Sequence, residues 1–160
     1  MHADLQAPES LTIGELLPSY QDMPGGLLPL LHAVQDALGH IPPTAVPMIA
    51  QAFHLSRAEV HGVITYYHFF RSTPPGKHVI QICRAEACQA NGSESLLAHT
   101  LTLLGCGLHE TSADGRFTLE PVYCLGLCAS SPAVQVNDKL FARMDNARLS
   151  RVVAELENLP

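Results

Sequence analysis

Four of the chain's five cysteines fall into two close pairs, and this spacing constrains the fold more than any other feature of the sequence. Cys83 and Cys88 are separated by four residues (CRAEAC), Cys124 and Cys128 by three (CLGLC), and 35 residues lie between the pairs. Cys83 ends an alternating stretch, His78-Val-Ile-Gln-Ile-Cys83, that reads as a strand. Cys124 ends a second, from Phe117, in which Phe117, Leu119 and Val122 are apolar. Each pair therefore sits in a loop at a strand exit. If the two strands are neighbours in one sheet, both loops leave at one end and four thiolates converge; the spacing by itself does not prove it.

Four converging thiolates suit a 2Fe-2S cluster, which takes soft deprotonated sulfur, two ligands per iron, in a shell that donates hydrogen bonds and excludes water. Structural zinc also takes four thiolates and stays open as an alternative, although its usual knuckles are Cys-x2-Cys. Neither pair has the Cys-x-x-Cys spacing of a thioredoxin-type dithiol. A Rieske centre needs two histidine ligands, and no histidine lies beside either pair. Buried structural thiols are a poor account of two close pairs on loops. Gly126 can let backbone amides approach sulfur, Gly92 either does the same or precedes a helix, and Pro132 stiffens the exit from the second loop. Cys106, alone in Leu104-Gly-Cys-Gly-Leu108, reads as a semi-buried hydrophobe.

The rest of the chain limits the functions this centre can serve. At 160 residues it can bury a real core, so metal is not needed merely to hold it folded. Nine basic against 15 acidic side chains give a net charge of -6, with no electrostatic footprint for nucleic acid or an anionic membrane. Partners are expected to be proteins. The start, MHADLQAPES, lacks a basic and then apolar leader, and no apolar run approaches spanning length. With an odd, uneven set of cysteines unsuited to a disulfide framework, the expectation is a cytoplasmic protein with reduced thiols and no direct membrane insertion.

Two halves meet at Arg71-Ser-Thr-Pro-Pro-Gly76, where two prolines before a glycine make a stiff connector; the expected domains are 1-74 and 75-160. In the first, Leu27, Leu28, Leu31, Val34, Ala37 and Leu38 recur at helical spacing and stop at Gly39. A second helix is expected from about Thr44 to Phe53, and a third opens at Ser56, where Glu59 completes a capping box. The second half reads as β-α-β-β-β-α. Its helix runs from Ser93 to Leu104, Pro121 marks an edge or bulge, a hairpin turns near Asn137-Asp138, and Asn146 is the expected cap of a last helix.

His78 to Met144 closely resembles the thioredoxin-like 2Fe-2S ferredoxins, in its C-x4-C, x35, C-x3-C pattern and in the segments DGRFTLE (114-120) and CLGLC (124-128). LLPLLHAVQDALGHIPP and LSRAEVHGVITYYHFF resemble the helical N-terminal region of the same family. The resemblance implies an α/β (α+β) chain, a small helical bundle followed by a thioredoxin-like domain, with Cys83, Cys88, Cys124 and Cys128 as cluster ligands and no role for Cys106. It implies an electron-transfer subunit beside a flavoprotein that binds FMN and NAD, as in NADH dehydrogenase, NAD-reducing hydrogenase and NAD-dependent formate dehydrogenase. CRAEACQA and Ser56-Arg-Ala-Glu-Val-His-Gly62 look most like the gamma subunit of the molybdenum formate dehydrogenases. The respiratory relatives usually carry threonine where this chain has Glu86. A molybdenum-containing catalytic subunit is then an expected partner, with formate chemistry on that subunit and NAD reduction at FMN on another.

Other residues admit blander readings. His54, His61 and His68 recur every seven residues, too far apart on a helix for one ion, and read as solvated or packing histidines. Tyr66, Tyr67, Phe69 and Phe70 read first as core packing and second as a docking surface. The short helices around Ser56 permit a helix-turn-helix, hence a redox-sensing regulator. Residues 1 to 76, however, hold only Arg57 and Arg71 as strong bases against six carboxylates, a poor surface for phosphates.

Overall fold

The computed structural model describes residues 7–158, and they divide into two compact units that meet between Pro74 and Pro75. No helix among the described residues is long and apolar enough to cross a membrane.

The first unit is helical: α1 Ala7–Leu16, α2 Leu27–Leu38, α3 Val46–Ala52 and α4 Arg57–Tyr66. The leucine spacing of α2 buries Leu30, Leu31 and Val34 against Ile13 of α1, Ile49 of α3, and Val60 and Ile64 of α4. Each such side chain contributes about 1.5–3 kcal/mol of transfer free energy, which is what holds helices too short to persist alone. α2 stops at Gly39, whose φ of 77° supplies the left-handed C-cap, its amide bonding Gln35 O at 2.7 Å. Gly26, at the start of α2, is required for space: a Cβ there would lie 2.1 Å from the Tyr20 carbonyl.

The expected 44–53 helix is shorter, a 3-10 turn at Pro43–Ala45 leading into α3, because Pro47 has no amide to continue an upstream ladder. The capping box of α4 is complete. Ser56 Oγ accepts from Glu59 N at 3.2 Å, and Glu59 Oε2 accepts from Ser56 N at 2.8 Å. The Ser56 amide, and the Ser56 hydroxyl that donates to the same Oε2 at 2.8 Å, hold the Glu59 carboxyl below its usual range. After α4 the chain returns along α2, pinned by the buried Gln35 amide: Nε2 donates to Phe69 O at 2.9 Å and Oε1 accepts from Arg71 N at 2.7 Å.

The second unit is a five-stranded sheet of order β2-β3-β1-β4-β5, with β1 His78–Cys83, β2 Glu110–Thr111, β3 Phe117–Val122, β4 Val134–Val136 and β5 Lys139–Phe141. The pair β1–β3 is parallel and the other pairings are antiparallel. Helices α5 Glu86–Ala90 and α6 Ser93–Leu104 make the crossover between β1 and β3, and α7 Asn146–Glu157 ends the unit. Ile80, Ile82, Phe117, Leu119, Val134 and Val136 form the sheet's contribution to a core completed by Leu96, Leu97 and Leu104 of α6 and Leu149 and Val153 of α7. The period-two alternation in β1 is visible in this burial.

Further details differ from the sequence reading, and the strand read as ending at Cys124 stops at Val122. The helix α5 and the two-residue strand β2 were not anticipated, being too short to show a period. Asp145, not Asn146, caps α7: its side chain accepts from Arg148 N at 2.7 Å, and Asn146 is the first helical residue. Pro121 does lie at an edge, since β2 pairs only with Thr118 and Leu119 and leaves the outer side of β3 open beyond them. The hairpin turns on Asn137-Asp138, with Asn137 at φ 50°.

Candidate metal centre

The register of the parallel pair aligns Cys83 with Val122, so the loop after β1 and the loop after β3 leave from one end of the sheet. The Arg84 amide extends the pairing one residue further, donating to Val122 O at 2.8 Å. Convergence of the two cysteine loops thus follows from the parallel pairing that the helical crossover between β1 and β3 allows.

The four sulfurs form two pairs of unlike environment. Cys83, at the end of β1, and Cys88, in α5, are each 2% exposed and sit in a small apolar nest with Ala133, flanked by Val122, Leu125 and Leu127. Cys124 and Cys128 are exposed, with Sγ atoms 3.6 Å apart. Two thiolates on one tetrahedral metal with bonds of about 2.3 Å stand roughly 3.8 Å apart, so this pair is already spaced to chelate. Among the described residues no three histidine, cysteine or acidic side chains are gathered round a single ion. All five thiols are free.

Backbone amides point at the sulfurs. Gly126, at φ 76°, turns its amide to Cys124 Sγ at 3.4 Å, the role read for it from the sequence. Burial opposes ionisation of Cys83, yet the Ala85 amide, the Cys88 thiol and the amides of Cys124 and Leu125 outweigh it and hold Cys83 below the ordinary thiol range. Burial pushes Cys88 up, against the Ala133 amide that favours its thiolate, while the charges of Cys83 and Cys128 push it further. Cys128 is raised by Cys124 and by the charge of Cys83. Neighbouring sulfurs raise the cost of ionising Cys88 and Cys128, and with oriented amides in reach the group asks for positive charge among its sulfurs. The soft all-sulfur donor set fits iron in a 2Fe-2S cluster.

Ala133 is a part of this site that sequence reasoning did not find. Its carbonyl accepts from Cys83 N at 3.1 Å, and its amide faces the Cys88 sulfur. An alanine carries no chemical signal of such a role. Cys124 itself adopts φ 94°, a left-handed conformation rare outside glycine, where the chain reverses to present both exposed sulfurs.

The remaining candidates lie apart from this cluster. Gly92, at φ 93°, is the residue before α6, the second of the two roles read for it. Pro132 follows a cis peptide bond, and its carbonyl accepts from Met144 N at 2.9 Å. Cys106 packs on the core of the sheet unit, its thiol pushed up by burial and by the nearby Glu110 and Asp114 carboxylates. His54, His61 and His68 form no metal-binding group. Phe70 is core, whereas Tyr66, Tyr67 and Phe69 are exposed, so the aromatic cluster divides between packing and surface.

The chain as a whole is similar to several known proteins. The thioredoxin-like 2Fe-2S ferredoxin family matches residues 13–157. An NADH-quinone oxidoreductase subunit of Pseudomonas aeruginosa is 36% identical over 134 residues, covering 84% of this chain and 81% of that protein. The NADP-reducing hydrogenase subunit HndA of Solidesulfovibrio fructosivorans is 28% identical, covering 96% and 90%. A crystal structure of NAD+-reducing NiFe-hydrogenase in the H2-reduced state superposes with a TM-score of 0.70 at 26% identity, covering 84% of this chain. The present chain spans about a quarter, 23%, of that hydrogenase chain.

Proposed function

This chain belongs to the thioredoxin-like 2Fe-2S ferredoxin family, and from that premise we propose that it is the electron-transfer subunit of an NAD(P)-linked oxidoreductase complex, of the NADH dehydrogenase or NAD(P)-reducing hydrogenase kind. The observation that carries the reading is the meeting of two cysteine pairs at one end of a parallel strand pair. Cys83 and Cys88 would hold one iron and Cys124 and Cys128 the other. When bound, a 2Fe-2S cluster supplies one-electron chemistry.

The chain's own residues perform three tasks. The cysteine thiolates bind. The amides of Ala85, Leu125, Gly126 and Ala133 favour negative charge on sulfur and so bear on the reduction potential. Val122, Leu125, Leu127 and Ala133 keep water from the buried pair, leaving the exposed pair as the side open to a partner. No general base is involved, and the chain makes or breaks no substrate bond. A flavoprotein subunit binding FMN and NAD(P) is the fitting neighbour, because a flavin exchanges two electrons with nicotinamide and one at a time with a cluster.

The formate dehydrogenase expected from CRAEACQA is the narrower reading. It adds a molybdenum-containing subunit, whereas the relatives compared above are named for NADH-quinone oxidoreductase and hydrogenase. Co-purification of the neighbouring subunits separates these parents. The helical unit is proposed to dock the chain in its complex through the exposed rings of Tyr66, Tyr67 and Phe69, and a Tyr66→Ser/Phe69→Ser variant that assembles normally would refute that role.

Metal analysis with a visible spectrum tests the central reading. Two irons and two acid-labile sulfides per chain, in a red-brown protein, are expected. A colourless protein with one zinc per chain would replace it with a zinc-stabilised interaction module.

A further inference from the structure

We propose that the Arg84–Glu94 ion pair sets the reduction potential of the centre, Arg84 raising it and Glu94 offsetting Arg84. The proposal rests on the reading that the cysteine pairs hold a 2Fe-2S cluster.

Arg84 belongs to the first ligand loop and reaches the start of the second. It directly follows Cys83, and its amide is tied to Val122 O at 2.8 Å, at the strand end from which the second loop leaves. Its guanidinium is held by both carboxylate oxygens of Glu94 on α6, Nε to Oε1 at 3.2 Å and Nη2 to Oε2 at 3.3 Å. It also lies beside the hydroxyl of Tyr123, the residue before Cys124. A flexible side chain is thus fixed in a two-pronged bond next to both loops, where a free arginine would swing into water.

The local charge inventory gives this placement its weight. Across segments 83–94 and 122–133, Arg84 is the sole cation in the sequence, with Glu86 and Glu94 the sole carboxylates. One-electron reduction adds a negative charge to a site already rich in thiolate. A nearby permanent cation favours the reduced form, and a nearby carboxylate disfavours it. Glu94 therefore has two opposed effects: it positions the guanidinium and cancels part of its field. Neither residue is a ligand, so each is a positioning and tuning residue.

The test uses full-length Arg84→Gln, Glu94→Gln, Arg84→Lys and the double Arg84→Gln/Glu94→Gln, each with its iron content, visible spectrum and a redox titration followed by the paramagnetic signal of the reduced state. The midpoint potential should fall in Arg84→Gln, rise in Glu94→Gln, and return toward the parent in the double variant. Arg84→Lys should stay nearer the parent than Arg84→Gln, and the shifts should shrink in high salt, since both side chains are partly exposed. A merely structural clamp would lower thermal stability in both single variants without shifts of opposite sign. Unmoved potentials, or shifts of the same sign, in a parent that carries iron overturn this proposal alone; a parent without iron overturns it together with the function it rests on.

Discussion

Cys83 and Val122 are register partners across a parallel strand pair, and the second cysteine loop begins one residue beyond Val122. Because the strands run the same way, residues far apart in the chain leave the sheet together. The exposed Cys124–Cys128 pair and the buried Cys83–Cys88 pair come to the same end of the sheet only through that parallel relationship.

Single serine replacements at positions 83, 88, 124 and 128 should each remove at least half of the bound iron and visible absorbance. Hydroxyl is a harder, less acidic ligand than thiol, and each replacement leaves an iron short of one sulfur. Cys106→Ser, which touches the core and not the site, should keep the full iron content. Iron and sulfide assays on the purified variants decide both points.

Gln35→Leu should destabilise the helical unit by about 1–3 kcal/mol, because it strands the Phe69 carbonyl and the Arg71 amide that the buried side chain now satisfies. Urea unfolding followed by circular dichroism measures this. Iron content should be unchanged.

Asp145→Ala should cost about 1 kcal/mol by removing the cap of α7, whereas Asn146→Ala should cost only a few tenths. Equal losses in thermal melts of the two variants would contradict the observed cap.

Acid should weaken the sheet unit through His78. Its ring is 7% exposed, stacks 5.6 Å from Phe117, and leaves Nε2 without a partner. Burial first, then the charges of Lys77 and Arg116, hold its pKa below the usual value of 6.5. The unfolded chain then binds more protons than the folded one once the pH drops to about 6.5, so stability falls as pH falls through that value. His78→Phe should flatten the dependence of the urea midpoint between pH 7 and 5; an unchanged slope would exclude His78 as its source.

Much of the local structure was legible because its causes are local. The Leu27–Leu38 helix and its Gly39 stop, the capping box of Ser56 and Glu59, the alternation of β1 and the Asn137-Asp138 turn all depend on residues within a turn or two of one another. The neighbouring Asp145 and Asn146 are both good caps, and only the path of the chain into α7 chose between them. α5 and β2 were invisible because five and two residues carry no readable period.

By itself the sequence determined that the four thiols would fall as two close pairs near the ends of two strands, since alternation and cysteine spacing are written in the order of residues. Only the tertiary structure decided that the loops meet, that one pair is buried and the other exposed, that Ala133 serves both Cys83 and Cys88, and that Glu94 holds Arg84 beside Tyr123. Those relationships join residues whose separation along the chain bears no fixed relation to their distance in space. They are set by which strands pair and by what the core leaves room for.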